Sequence, residues 1–145
     1  MEKINFSISI NAPREKVWNV LLGEKTYPEW TSVFAPGSAV KTDWREGSKA
    51  LFLDGKGNGM VSKIERNIPN EYLSIRHMGI YKDGVEDFES EEVKNWSNMM
   101  ENYTLEKSGN GTLLKIEMDS NQAYKDFFLK TWPKALDKVK VLSEE

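Results

Sequence analysis

From residue 38 to residue 119 the chain reads as strand and turn almost without a break, and one long amphipathic helix follows. Strands are expected near 39–44, 48–54, 59–67, 71–79, 99–107 and 111–119. The breaks are turn chemistry: Arg45-Glu46-Gly47, Asp54-Gly55-Lys56-Gly57-Asn58-Gly59, Pro69-Asn70 and Ser108-Gly109-Asn110-Gly111. Connections this short join antiparallel neighbours, since a parallel crossover needs about a dozen residues or more. Such a sheet must hide one apolar face, and only the C-terminal helix is long enough to cover it. A curved sheet closed by one helix is the constraint from which the rest follows.

That helix is expected from Gln122 to Leu142, with Tyr124, Phe128, Trp132, Ala135, Val139 and Leu142 recurring at spacings of three and four. Pro133 lies inside the pattern and predicts a kink or restart near Lys130–Trp132. At the other end, Ile4, Phe6, Ile8 and Ile10 alternate with Asn5, Ser7 and Ser9, the period of a half-buried strand. Asn11 is a good helix N-cap and Pro13 suits a first turn, so Pro13 to Leu22 reads as a helix ended by Gly23. A short second helix or irregular turn through Tyr27-Pro28-Glu29-Trp30 follows. The expected class is α+β: a seven-stranded antiparallel sheet curved around a long C-terminal helix, with two short helices after the first strand. The acidic stretch 82–98 is long enough for a short helix or flap, and Phe88, Val93 and Trp96 give it an apolar side suited to a lid.

Composition then removes function classes. With 145 residues the chain is expected to be a single domain, 1–145. Twenty Lys+Arg against 23 Asp+Glu give a net charge of −3, without the bulk attraction that nucleic-acid or anionic-membrane binding needs. No cysteine means no disulfide, thiol nucleophile or thiolate metal site, and one histidine excludes multi-histidine metal sites. No metal and no cofactor are therefore expected. The N-terminus lacks the pattern of a signal or transit peptide, and no apolar run approaches the roughly 20 residues of a membrane span. A cytoplasmic protein that does not insert into membranes is the expectation.

Few motifs carry chemistry. The glycine run 54–59 lies between strands with no helix after it, so it reads as a hairpin loop and not a phosphate cradle. Glu86, Asp87, Glu89, Glu91 and Glu92 lack the internal glycine of a calcium loop and read as a solvated face. His77 follows Leu73 and Ile75 at period two, hence on the apolar face. Pairing with the strand 99–107 places Leu73 opposite Leu105, Ile75 opposite Tyr103 and His77 opposite Glu101. His77 and Glu101 are thus candidates for an acid/base pair, or for a pair that satisfies itself. Space between sheet and helix would be lined by Trp30, Phe52, Ile75, His77, Trp96, Glu101, Tyr103, Ile116, Phe128 and Trp132.

The segment Ala12-Pro13-Arg14-Glu15-Lys16-Val17-Trp18 with Tyr27-Pro28-Glu29-Trp30 resembles the opening of the START-like (SRPBCC, birch-pollen-allergen-like) superfamily. Trp44-Arg45-Glu46-Gly47, Gly59-Met60-Val61, Pro69-Asn70-Glu71-Tyr72-Leu73, Gly111-Thr112-Leu113-Leu114 and Trp132-Pro133-Lys134-Ala135-Leu136-Asp137-Lys138-Val139 match in the same order. Within it the chain is most similar to the heat-shock-protein-90 ATPase activator homologue family. The resemblance implies a helix-grip fold around a cavity, and a small apolar or amphipathic molecule as partner. It also admits two alternatives: a cavity enzyme acting on polyketide-like substrates through His77 and Glu101, and a module that contacts a chaperone.

Overall fold

A computed structural model describes residues 2–145. In chain order the elements are β1 (Glu2–Ile10), α1 (Arg14–Leu22), α2 (Thr26–Thr31), β2 (Ala39–Lys41), β3 (Lys49–Leu53), β4 (Gly59–Ile68), β5 (Tyr72–Lys82), β6 (Val85–Asp87), α3 (Glu91–Lys94), β7 (Met99–Ser108), β8 (Gly111–Ser120) and α4 (Gln122–Glu144). The antiparallel sheet runs β1-β8-β7-β5-β4-β3-β2, and β6 adds to the far end of β5 as an eighth strand. This is the helix-grip architecture expected. β6 is the addition, a short hairpin partner inside the acidic stretch read as helix or flap; α3 is the helix of that stretch.

Long-range pairing places β1. Two helices separate it from β2, and it joins β8 instead, with Ile4 opposite Met118, Phe6 opposite Ile116 and Ile8 opposite Leu114. Ile4 and Ile10 are buried and Phe6 and Ile8 half-buried, so the alternation does aim that face inward. α4 lies against β1, α1 and α2. Its C-terminal half buries Ala135, Leu136 and Val139, which join Val17, Leu21, Leu105 and Leu114 in one continuous core. Glu144 accepts from the Asn11 amide at 2.8 Å and fixes that end of the helix. No described helix is long and apolar enough to cross a membrane.

Three local expectations change. α4 runs unbroken through Pro133, with no restart. Proline removes one backbone bond, but the neighbouring Trp132 packs on Phe6, Trp30, Phe34 and Tyr103 and fixes the helix at that turn. Pro13, and not Asn11, occupies the N-cap of α1, without a side-chain cap. β2 stops at Lys41 because Trp44 adopts a left-handed backbone (φ 64°), a conformation that costs a bulky residue roughly 1–3 kcal/mol. Thr42 Oγ1 accepts from the Trp44 amide and Asn67 Nδ2 donates to its carbonyl. The result is an indole set against Tyr27 and Phe52, behind the wall of the cavity described next.

Candidate functional site

α4 and the sheet part company toward the start of the helix and leave a cavity of about 390 Å³. That lies within the roughly 300–1,000 Å³ typical of small-molecule sites. Phe52, Met60, His77, Met99, Glu101, Tyr103 and Met118 form the sheet side; Tyr27 and Trp30 from α2, Phe34 from the turn after it, and Phe128 and Trp132 from α4 face them. The rim carries Trp96 from the loop after α3, Asp54 from the β3–β4 hairpin, and Tyr124 and Phe127 from α4. The last two are 54% and 44% exposed, unusual for aromatics on the covering face of a helix.

Sheet topology explains the opening. β5 pairs with β7 only through Tyr72–His77 and with β6 only from Ile80. Between those spans Met78 bulges out of register with β4, so the partner of β5 changes just where His77 sits. The Asn98 amide donates to the His77 carbonyl at 2.8 Å and stitches the gap. A sheet that switches partners splays locally, and the splay is room.

A chain of polar groups crosses this end of the sheet. Ser62 Oγ lies 2.7 Å from His77 Nδ1, His77 Nε2 lies 3.0 Å from Glu101 Oε1, and Tyr103 donates its phenol proton to Glu101 Oε2. Ser62 is fully buried with Nδ1 as its side-chain partner, and when the ring is neutral its hydroxyl donates to Nδ1. That neutral form carries its ring proton on Nε2, toward Glu101; in the imidazolium both nitrogens donate, Nε2 again to Glu101. Burial would raise the Glu101 carboxyl, but the hydrogen bond and charge of His77 and the hydrogen bond from Tyr103 outweigh it and hold the group below the ordinary glutamate range. Burial, then the Glu101 charge, push the phenols of Tyr27 and Tyr103 far up, so both stay protonated. Ser62 does not line the cavity. It orients the imidazole from behind and is out of reach as a nucleophile.

Of the ten residues singled out from the sequence, Trp30, Phe52, His77, Trp96, Glu101, Tyr103, Phe128 and Trp132 line the cavity. Ile75 and Ile116 do not: each is 1% exposed, sealed in the core one step deeper along the same face. The pairing of β5 with β7 also differs by two residues from the one expected. Leu73 faces Tyr103, Ile75 faces Glu101 and His77 faces Met99. His77 therefore meets Glu101 diagonally, not directly across, and the hydrogen bond forms all the same because a two-residue shift keeps both on one face. Sequence reasoning missed Tyr27, Phe34, Ser62, Met60 and Met99. Tyr27 was within reach, being three residues before Trp30 on a short helix. No three His, Asp or Glu side chains among the described residues converge to hold a metal ion.

A family model described as Activator of Hsp90 ATPase homolog 1-like protein matches residues 11–144. A crystal structure of a Mesorhizobium loti protein superposes with a TM-score of 0.75 at 18% identity, covering 97% of this chain and 96% of that one. The solution structure of the Aha1 dimer from Colwellia psychrerythraea gives 0.74 at 21% identity, covering 99% and 97%. DynU16, from the dynemicin biosynthetic locus, gives 0.72 at 13% identity over 97% of this chain and 46% of that chain. At such identities the likeness establishes the fold alone. No curated protein matches the sequence.

Proposed function

This chain belongs to the Activator of Hsp90 ATPase homolog 1-like family, and from that premise we propose that it binds a small apolar or amphipathic molecule in the cavity between sheet and α4. The observation that carries the reading is the wall: a space of about 390 Å³ lined by aromatic and methionine side chains, with the hydrogen-bonded His77 and Glu101 on its sheet side. Aromatic walls supply area at little entropic cost, and a localised polar group orients what they hold. DynU16, a relative in fold from a natural-product locus, is in keeping with a bulky organic ligand. Mass spectrometry of gently purified protein, followed by a ligand-detected screen across lipids, flavonoids and polyketides, tests this. Co-purified or screened ligand that perturbs Trp30 and Tyr103 is the expected result; a panel without a single binder would end the reading.

A second reading, acid/base chemistry on a bound substrate, is favoured by the Ser62–His77–Glu101–Tyr103 chain. It ranks behind binding because both imidazole nitrogens are already engaged, by Ser62 and by Glu101. His77 therefore has no lone pair to offer a substrate proton, and only Glu101 could act as the base. Turnover of a bound compound, lost in Glu101→Gln, would promote this alternative. A chaperone-directed role, which the family name suggests, would be supported by stimulation of a purified chaperone's ATPase.

A further inference from the structure

Which molecules the cavity accepts, given the binding reading above on which this rests, depends on the polar groups of its wall. What matters there is unused hydrogen-bonding capacity. His77 has spent both ring nitrogens, and Tyr103 has spent its proton on Glu101. Glu101 retains free lone pairs and lines the cavity with its side chain 17% exposed. Tyr27 also lines the cavity, its ring 6.3 Å from Phe52, which packs 5.9 Å from His77, and its hydroxyl makes no hydrogen bond among the described residues and stays reachable from the cavity. A phenol proton in so apolar a wall has few alternatives, so a ligand oxygen that accepts it gains a directional bond there.

Charge narrows the choice further. No Lys or Arg lines the cavity, while three carboxylates do: Asp54, Glu101 and Asp119. A ligand carboxylate would accept from Tyr27 but face the Glu101 anion in a poorly solvated space, where like charges repel strongly. An ammonium group would donate to Glu101 but offers Tyr27 no acceptor, and it gives up its hydration on entry. One group satisfies both residues without carrying charge. A hydroxyl donates to Glu101 and accepts from Tyr27.

We propose that the cavity selects aromatic alcohols, phenols above all, whose hydroxyl bridges Glu101 and Tyr27, and that it rejects the corresponding carboxylates. Fatty-acid-like ligands are thereby excluded, although the walls are apolar enough for them.

Four probes of one shape test this at neutral pH: 2-naphthol, 2-methoxynaphthalene, 2-naphthoate and 2-naphthylmethylammonium, titrated against the whole chain and read from the tryptophan indole N–H signals. Naphthol should bind roughly 10- to 100-fold tighter than each of the others, the worth of one hydrogen bond to a charged acceptor. Glu101→Gln should close most of the gap between naphthol and naphthoate, and Tyr27→Phe should weaken naphthol several-fold. Methoxynaphthalene binding as tightly as naphthol would overturn the hydroxyl while leaving the apolar site standing. Naphthoate or the ammonium matching naphthol in the native protein would likewise overturn it. Failure of all four to bind would remove the binding reading itself. The native-protein comparisons decide the matter even where a variant does not fold.

Discussion

The two halves of α4 have the same apolar periodicity and opposite fates. After Trp132 the stripe is sealed: Ala135 and Val139 are fully buried and Leu136 nearly so. Before it, Tyr124 and Phe127 stand largely exposed and Phe128 half-buried, over space instead of over side chains. Small aliphatic residues let the C-terminal half approach α1 and the sheet, where Asn11 and Ser9 tie it down through Glu144 and Lys140. Large aromatics hold the N-terminal half off, anchored at its edge by the exposed Lys125–Glu2 pair. The lesson is that an amphipathic pattern specifies which side of a helix faces the sheet, and side-chain size decides how far away it rests.

Substitutions along the helix can break that contrast. Trp132→Ala, at the junction of the halves and packed by four other rings, should cost about 3–5 kcal/mol in denaturant unfolding; a loss near that of an exposed residue would mean the junction is loose. Leu136→Ala, on the sealed side, is expected to lose about 2–4 kcal/mol without changing ligand affinity. By contrast, Phe128→Ala should cost less, about 1–2 kcal/mol, since its side chain is only partly removed from water on folding, and its effect should appear in ligand affinity. Equal losses at 128 and 136 would show that the two halves pack alike.

The smallest and most specific effect is in pH. Glu101 lies below the ordinary glutamate range in the folded protein, so its contribution is present above the unfolded-state pKa and is lost as pH falls through the folded one. The stability difference between the native chain and Glu101→Gln should therefore be widest near neutrality and shrink in acid. A difference independent of pH would mean that the carboxylate is not held ionised by His77 and Tyr103.

The strands of the sheet apart from β6, the antiparallel sense of consecutive neighbours, the inward faces of β1 and β5 and the covering role of α4 were legible from the chain. The place of β1 beside β8 was not. The legible features depend on local periodicity and short turns, and both act within a few residues. The pairing of β5 with β7 was legible only to within two residues. Alternation has period two, so a shift of two leaves every side chain on its own face; the connection 83–98 is too long to pin the register as a tight turn would. His77 and Glu101 were found for that same reason, while Ser62 was not, because the bulge at Met78 interrupts the arithmetic between β4 and β5. Nor could periodicity separate Ile75 and Ile116 from Tyr103 and Glu101, their neighbours on one face. Which of them meet solid core and which meet open space depends on the distance between α4 and the sheet, a sum over packing contacts from α1, α2 and β1 that no local stretch of sequence contains.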